Sequence, residues 1–440
     1  KKYDLIVTIS ETNHNIEINA VSGASNFPSK TNAQVGTHTL RFTPTSTTFK
    51  LKIGISNNAN GNATLTFVSL KEVSDGDFTF TRGTVATRVN PSGLIESVDT
   101  NVPRIDFTSG TGNILMEPES FNYEVNSAAL STGWSATSGA SQQVETGITP
   151  FGVSGNIKRV SGATNSPPNW VDNADALKKQ YTVLASDPAS TFTFSVYVKS
   201  AGSTTVNIQL RNNTAGPSNR TGAITLTSDW QRVSVTLAVT TTTTKIGVVI
   251  AGTDGDILLS GAQLEAQTFA TSLIPTSGTT ATRNADLANG SGDTSLINTV
   301  EGVLYTETAC LVDGDHNRAI SIGSDGQSYA SIQYNPTSNR ILGRYRNASN
   351  FECQIQFDVA DRTQFSKIAF RFKQDDFALF VNGVKVGTDT SGNVLSADTF
   401  TQLALNSGIA GTGQPFEGKI KCIAVFKEFL TDAQLISLTS

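Results

Sequence analysis

The sequence predicts an all-β chain built from tandem β-sandwiches. Short stretches of alternating apolar and polar residues recur along its 440 residues, separated by clusters of Gly, Asn, Pro and Ser. Charged residues make up 16% of the chain, below the roughly 25% of an average globular protein, so Thr, Ser, Asn and Gly supply most of the polar surface. That composition favours strands and turns over helices.

The spacing of these stretches divides the chain into three units and two connectors. Residues 1–73 predict a small jelly-roll-like sandwich, which we expect to be incomplete at its N-terminus because its first strand begins almost at residue 1. Residues 74–118 are rich in Gly and Pro, have no helical period and predict an extended connector. Residues 119–267 predict a larger jelly roll, 268–290 a second connector, and 291–440 a third sandwich.

Both connectors carry the same short motif, Ala-Thr-Arg, at 86–88 and at 281–283. We interpret the pair as the trace of an internal repeat in which a sandwich is followed by a connector. The apolar residues Phe78, Phe80 and Ile105 predict that the connectors pack against neighbouring domains or chains, because a free linker does not need them.

The third unit contains a hairpin at 377–388. Asn382-Gly383 is the dipeptide that a two-residue type I′ turn requires, because both central residues have positive φ. The turn predicts that Val381 pairs with Val384 and Leu379 with Val386. We expect one face of the hairpin to be core: Phe377, Leu379, Val381, Val384 and Val386.

One helix is predicted, near the C-terminus. Thr431 and Gln434 have the spacing of a capping box, and Leu430 and Leu435 that of a hydrophobic staple. Its brevity predicts that it covers a sheet edge.

Several classes of function are disfavoured by composition. The net charge is −5 without a Lys/Arg cluster, which argues against nucleic-acid binding. No apolar run approaches the roughly 20 residues of a membrane span, so we expect no membrane insertion. The three cysteines, Cys310, Cys353 and Cys422, all lie in the last third of the chain and argue against a disulfide framework. We expect them to be small core residues.

Catalysis by paired carboxylates is also disfavoured. A retaining glycosidase needs two carboxylates about 5–5.5 Å apart, which period-2 spacing on one strand supplies. Glu301 and Glu307 are too far apart for this, and Asp375 and Asp376 point to opposite faces of a strand. No G-x-S-x-G elbow precedes a helix. We therefore expect a protein that is not an enzyme.

A structural calcium ion is the one cofactor that the sequence suggests. Asp313, Asp315 and Asn317 have the D-x-D-x-N spacing of a calcium loop, but Arg318 and Ser324 stand where an EF-hand requires Gly and Glu. A polar hairpin turn explains the same pattern and is favoured. The segment 253–256, Thr-Asp-Gly-Asp, is a weaker candidate of the same kind.

Candidate sugar-binding residues are aromatic, because sugars stack their C–H faces on Trp or Tyr. Trp170 and Trp134 lie in predicted loops, where each is either a ligand platform or a hydrophobic plug. Trp230 heads an alternating strand and is expected in the core. Tyr345 and Arg346 predict a polar and aromatic surface in the third unit, although strand alternation alone explains them as well.

Three groups of motifs carry resemblances to known families. The segments GVLYTE (302–307), 367–387 and 418–438 resemble the concanavalin A-like, laminin-G-type lectin fold. FTFSVYVKS, DWQRVSVTLAV and DILLSGAQLE, in that order, resemble jelly-roll carbohydrate-binding modules. The connector FATSLIPTSGTTATRNAD resembles the segment that joins such modules in bacteriophage tail-fibre, tail-spike and head-fibre proteins.

The resemblance implies a non-enzymatic structural protein of a phage virion, assembled in the host cytoplasm and extracellular after release. Its expected partners are other virion proteins and a host cell-surface polysaccharide, and family analogy implies a homotrimer. We expect its inter-chain contacts at the connectors, which are apolar but have no core of their own. Two alternatives stay open: a polysaccharide depolymerase with accessory carbohydrate-binding modules, and a capsid or tail decoration protein without a ligand.

Overall fold

The chain folds almost entirely into β-strands, which confirms the predicted class. The computed structural model describes residues 2–22, 25–26, 30–42, 50–55, 61–73, 76–164, 175–183, 191–212, 218–239, 244–311, 317–336, 338–348, 350–406 and 414–440. Contacts divide the chain into two compact units, Lys1–Asp77 and Phe78–Ser440.

The first unit is a small two-sheet structure. Its strands are β1 (Lys2–Thr12), β2 (Ile16–Ser22), β3 (Ser25–Asn26), β4 (Lys30–Ala33), β5 (Gly36–Phe42), β6 (Lys50–Ile55) and β7 (Ala63–Val73). One sheet has the order β5-β1-β7, and in the other β2 pairs with β3, β4 and β6. Alternate residues of β1, Leu5, Val7 and Ile9, are buried in its core.

The second unit begins with the segment that was expected as a connector, and this segment contains short strands of its own. They are β8 (Thr79–Thr81), β9 (Ala86–Val89), β10 (Ile95–Val98), β11 (Arg104–Asp106) and β12 (Asn113–Met116).

Next come the strands of what we call the central sandwich (120–265): β13 (Ser120–Asn122), β14 (Ser135–Thr137), β15 (Ser141–Ile148), β16 (Ser154–Ser161), β17 (Ala176–Thr182), β18 (Thr191–Ala201), β19 (Thr205–Asn212), β20 (Ser218–Arg220), β21 (Ile224–Thr225), β22 (Gln231–Ala238), β23 (Lys245–Gly252) and β24 (Asp256–Glu265). Its two main sheets have the orders β14-β17-β23-β19-β20, with β21 also on β19, and β15-β16-β24-β18-β22. The core lies between them, because alternate residues such as Val196, Val198 and Ile208 face inwards.

The strands β25 (Ala281–Arg283) and β26 (Leu287–Asn289) lead to the C-terminal sandwich (301–440). Its strands and helix are β27 (Glu301–Cys310), β28 (Arg318–Gly323), β29 (Tyr329–Tyr334), β30 (Arg340–Asn347), β31 (Asn350–Asp358), β32 (Ser366–Lys373), β33 (Phe377–Val381), β34 (Val384–Asp389), β35 (Gln402–Ala404), β36 (Gly418–Phe426) and α1 (Asp432–Thr439). A seven-stranded sheet, β11-β12-β36-β27-β32-β33-β34, faces a five-stranded sheet, β31-β30-β29-β28-β35.

Strand pairing joins both connectors to the two sandwiches. Strand β12 pairs with β36, so residues 104–116 extend a sheet whose other strands begin at residue 301. Strand β13 pairs with β25, and β8 pairs with β26. Phe78 and Phe80 pack against the core of the C-terminal sandwich. The connectors are therefore parts of the folded body.

A buried network of ions fixes the connectors in place. Arg104 Nη1 donates to Oε2 of Glu117 (2.7 Å), and its Nη2 donates to Asp286. Arg82 Nη1 also donates to Asp286 (2.8 Å), and Arg283 Nη1 donates to Glu117 (2.7 Å). All five side chains are at least nine-tenths buried, so each charge depends on its partners.

The two Ala-Thr-Arg motifs have different environments. Arg283 belongs to the buried network, whereas Arg88 is partly exposed and pairs with Glu96. Thr87 is buried and its hydroxyl donates to the carbonyl of Leu273 (2.6 Å), so the first motif contacts the second connector.

The 377–388 hairpin has the predicted turn, because Asn382 and Gly383 both have positive φ, and Val381 pairs with Val384 as expected. The predicted pairing of Leu379 with Val386 is wrong: a register shift after Leu379 places it opposite Gly387. The prediction of a core Val384 is also wrong, because its side chain is 58% exposed at the free edge of the sheet.

Helix α1 begins as predicted, with Thr431 as its N-cap and both capping-box hydrogen bonds to Gln434. It packs on the outer face of the seven-stranded sheet, with Leu435 against Tyr305 and Phe380, and so covers a face beside the sheet edge. No helix in the described part of the chain has the length and hydropathy of a membrane span.

Candidate functional site

Of the two predicted tryptophan platforms, Trp170 lies outside the described residues. Trp134 lies in the core of the central sandwich, 5% exposed, and offers no ring face to a sugar. Its Nε1 donates to Oε2 of Glu124 (3.0 Å), and this buried carboxylate gives the indole a partner that the sequence did not reveal.

Glu124 is the centre of a buried polar cluster. Nζ of Lys179 lies 2.9 Å from both of its carboxylate oxygens, and the hydroxyl of Tyr181 donates to Oε2 (2.7 Å). Burial and the negative charge of Glu124 raise the pKa of Tyr181 well above its usual value. The cluster is satisfied internally and contributes stability and order to the core.

Trp230, which was expected in the core, is only partly buried. Its Nε1 donates to the carbonyl of Ile148 (2.9 Å), at the end of strand β15. It lies just before β22, outside the alternating part of that strand.

The predicted surface at Tyr345 and Arg346 is only half correct. Tyr345 is fully buried, packs against Phe377 and Phe400, and donates its hydroxyl proton to the carbonyl of Thr299 (3.0 Å), so it cannot be a surface platform. Arg346 points to the opposite face, because strand neighbours alternate.

On that face, the guanidinium groups of Arg344 and Arg346 lie 5.1 and 5.2 Å from the ring of Phe351, which is 47% exposed. We call this the arginine–phenylalanine surface. Arg344 is held there by hydrogen bonds to Gln333 and Gln354.

The predicted calcium ligands Asp313 and Asp315 lie outside the described residues. The third predicted ligand, Asn317, is described and is partly buried. The described residues contain no group of three or more His, Cys, Asp or Glu that could hold a metal ion. In the weaker candidate, Asp254 accepts from Thr204 and Asp256 pairs with Arg159 (3.1 Å), as in an ordinary turn.

The three cysteines are free thiols. Cys310 and Cys353 are buried core residues as expected, and burial raises the pKa of each to about 12. The expectation is wrong for Cys422, which is exposed because it lies opposite the core-facing residues of β36.

A cleft of about 570 Å³ lies in the second unit, between the outer faces of two sheets. On one wall Tyr197 of β18 and Arg232 of β22 form a directly opposed pair, pointing away from the central core. On the other wall Lys419 of β36 is paired with Leu115 and Ala309, and all three point away from the core of the C-terminal sandwich. The connectors close the sides with residues 87–89 and 269–273.

The cleft combines aromatic faces with polar groups. Tyr197, Phe269 and Phe365 line it, together with the polar side chains of Thr363 and Gln364. Burial raises the pKa of Tyr197, so its hydroxyl stays protonated and can donate a hydrogen bond at neutral pH. This combination of rings and convergent polar groups is typical of small-ligand sites.

Two carboxylates that line the cleft are already occupied. Asp106 accepts from the backbone N–H of Val89 (2.9 Å) and of Thr108 (3.0 Å). Burial would raise the pKa of Glu117, but the guanidinium groups of Arg283 and Arg104 lower it to about 2. Glu117 is therefore not suited to donate a proton at neutral pH, and both carboxylate oxygens of Asp106 are occupied by backbone donors.

The sequence predicts none of the cleft side chains as a ligand-binding residue, although Thr87 and Arg88 of the first Ala-Thr-Arg motif line it. Tyr197 and Arg232 stand at outward positions of alternating strands, and this alternation was the available signal. Their opposition in the sheet, and the sheet that faces them, depend on pairings between distant segments.

Residues 306–436 match the model of a family described as the concanavalin A-like lectin/glucanases superfamily. This match lies within the C-terminal sandwich and agrees with the resemblance drawn from the sequence. A comparison with curated proteins gives no match to this chain.

Comparison with solved structures gives several weak similarities. A sialidase carbohydrate-binding module (CBM40) of Ruminococcus gnavus, bound to α2,3-sialyllactose, is 16% identical, with a TM-score of 0.29 over 34% of this chain and 94% of that one. Domain 4 of a Geobacillus stearothermophilus arabinanase, in complex with arabinotriose, is 14% identical, with a TM-score of 0.30 over 36% and 73%. Domains LG4-5 of mouse laminin α1 are 10% identical, with a TM-score of 0.24 over 56% and 84%.

Proposed function

We propose that this chain is a non-catalytic glycan-binding protein of a bacteriophage particle, displayed in a fibre or in a tail or head appendage. The observation that carries the glycan-binding part is the cleft between the two sandwiches, where Tyr197, Phe269 and Phe365 stand beside polar side chains. Sugars bind proteins through this pairing of aromatic faces and hydrogen-bonding groups.

The occupied carboxylates of the cleft support the absence of catalysis. Glycoside hydrolysis needs one carboxylic acid that stays protonated and a second carboxylate across the bond. Asp106 is held by backbone N–H groups, and the pKa of Glu117 is shifted in the wrong direction for an acid. These two carboxylates therefore fit a site that binds a glycan without cleaving its glycosidic bond.

The particle assignment rests on the order of modules and connectors in the sequence. We further propose a homotrimer, in which repeated weak sites raise avidity without new contacts. The described connector residues pair within their own chain, and the inter-chain contacts expected at the connectors stay a prediction. Light scattering on the purified chain measures the oligomer, and immunodetection in purified phage particles tests the location.

Glycan binding is tested with the full chain on an array of neutral and acidic glycans, followed by calorimetry on the best ligand. We expect Phe269→Ala to weaken binding about tenfold or more, since an aromatic contact is removed from the cleft. Val384→Ala, at the exposed edge of the hairpin, is the matched control and should bind normally.

Phe351→Ala tests the arginine–phenylalanine surface as the competing site. Loss of binding in this variant but not in Phe269→Ala would move the site to that surface. An array without any ligand would favour the decoration protein, and steady release of reducing sugar from host capsule would favour the depolymerase.

A further inference from the structure

The charges that line the cleft are unequally satisfied. Arg88 forms an ion pair with Glu96, and the negative charge of Glu117 is shared by two buried arginines. Arg232 and Lys419 form no ion pair with any described residue. The cleft therefore contains two cations, Arg232 and Lys419, that no carboxylate of the described residues neutralises. Its remaining carboxylate, Asp106, accepts hydrogen bonds from two backbone N–H groups.

Arg232 is held in a fixed position. Its guanidinium lies 5.5 Å from the ring of Tyr197, and its Nη2 donates to the hydroxyl of Ser195 (2.9 Å). Its Nε is buried without an acceptor, and its Nη1 has no partner within the described parts of the chain. Nη1, which is not among the buried atoms, is therefore the donor that remains for an anion in the cleft.

Lys419 contributes a second positive charge from the opposite wall. It differs from its neighbour Lys421, whose Nζ lies 3.1 Å from a carboxylate oxygen of Glu307 and 4.0 Å from the ring centre of Phe365. Glu307 thus neutralises the charge of Lys421, which does not line the cleft, whereas Lys419 does.

We infer that the cleft takes an acidic saccharide and that Arg232 binds its carboxylate, an inference that rests on the proposed function. A hexuronic acid carries a carboxylate directly on a pyranose ring, so the charge can meet Arg232 while the ring lies on Tyr197 or Phe269. Lys419 adds a longer-range attraction from the facing sheet. A sulfate ester would offer the same charge with a different geometry, and the experiment distinguishes the two.

The experiment compares ligands that differ only in charge. The full chain is titrated by calorimetry with hexamers of galacturonate, mannuronate and guluronate, with the carboxyl-reduced neutral form of each, and with sulfated neutral hexamers. We expect at least one uronate to bind about tenfold or more tightly than its reduced form, because a charge-assisted hydrogen bond is lost on reduction. Added salt should weaken the uronate and leave the reduced sugar unaffected.

Variants of the chain locate the charge that is recognised. Arg232→Gln should lose this preference, Arg232→Lys should keep part of it, and Lys419→Gln should reduce it less. Arg346→Gln, on the arginine–phenylalanine surface, is the matched control and should keep it whole. Thermal unfolding checks that each variant is folded.

The outcomes separate this inference from the proposed function. If the tightest ligand is a neutral hexamer and Arg232→Gln binds it normally, the acidic preference is overturned and glycan binding stands. If the sulfated hexamers bind most tightly and the uronates do not bind, the assignment of a ligand carboxylate to Arg232 is overturned. If no saccharide here or on the array binds, both proposals are overturned together.

Discussion

Nη1 of Arg104 lies 2.7 Å from Oε2 of Glu117, and both side chains are almost completely shielded from water. Although burial by itself lowers the pKa of Arg104, the carboxylates of Glu117 and Asp286 raise it above its usual value. Glu117 itself lines the cleft, and Ser272 beside it in the lining donates both its N–H and its hydroxyl to this carboxylate. Hydrogen bonds thus connect the ionic network to the wall of the cleft.

Removing one charge from this network should be costly. Glu117→Gln leaves Arg104 and Arg283 without full compensation, and we expect the free energy of unfolding of the second unit to fall by about 3–5 kcal/mol. Calorimetry or urea unfolding measures the loss. Asp358→Asn, which breaks the exposed pair with Arg340, is the control and should cause no resolvable change. Equal losses in the two variants would contradict the special role of the buried network.

The same carboxylate predicts an acid-sensitive stability. The folded-state pKa of Glu117, about 2, lies below its ordinary value of 4.5. Its contribution is therefore complete above pH 4.5 and is lost as the pH falls towards 2. Unfolding midpoints measured across this window should fall more steeply in the natural chain than in Glu117→Gln, whose amide does not titrate. Parallel profiles would rule this contribution out.

The hairpin turn predicts a position-specific effect of alanine. Gly383 has a φ of 81°, where a Cβ is strained, so Gly383→Ala should lower the free energy of unfolding by roughly 1–2 kcal/mol. Gly222→Ala is the matched control, because a Cβ at Gly222 meets no atom within 4 Å and its φ is not in the left-handed region. A tolerant Gly383 would show that the turn adopts another conformation.

Trp134 should affect stability and leave ligand affinity unchanged. Trp134→Phe removes the indole donor from Oε2 of Glu124, and we expect a loss of about 1–3 kcal/mol in unfolding free energy. Glycan affinity of the folded variant, measured by calorimetry, should be unchanged. If Trp134→Phe keeps the native unfolding free energy but no longer binds the glycan, Trp134 belongs to the binding site after all.

Local signals in the sequence predicted local structure well. The Asn382-Gly383 turn and the Thr431 cap both depend on residues within a few positions of each other, and both are present. Alternation predicted the strands for the same reason, because a side chain's face follows from its position along one strand.

Features that depend on distant segments escaped prediction. The sequence does not show that Lys179, on β17, reaches Glu124 and so encloses Trp134, for which a loop position left both a ligand platform and a hydrophobic plug open. Tyr345 was predicted on the surface because the two faces of its strand, β30, cannot be distinguished without knowing which of them the other sheet packs against. The cleft escaped prediction for a stronger reason, since its lining residues come from eight separate segments of the chain.

The hydroxyl of Ser120 donates to Oε1 of Glu265 (2.6 Å), so the two ends of the central sandwich lie side by side. Because β12 before it and β27 after it belong to one sheet, the central sandwich is an insertion within the sequence of the C-terminal one. An inserted domain with adjacent ends can be exchanged without cutting its host. Exchange of the segment between β12 and β26 would therefore replace one wall of the cleft and leave unchanged the C-terminal sandwich that carries the other wall.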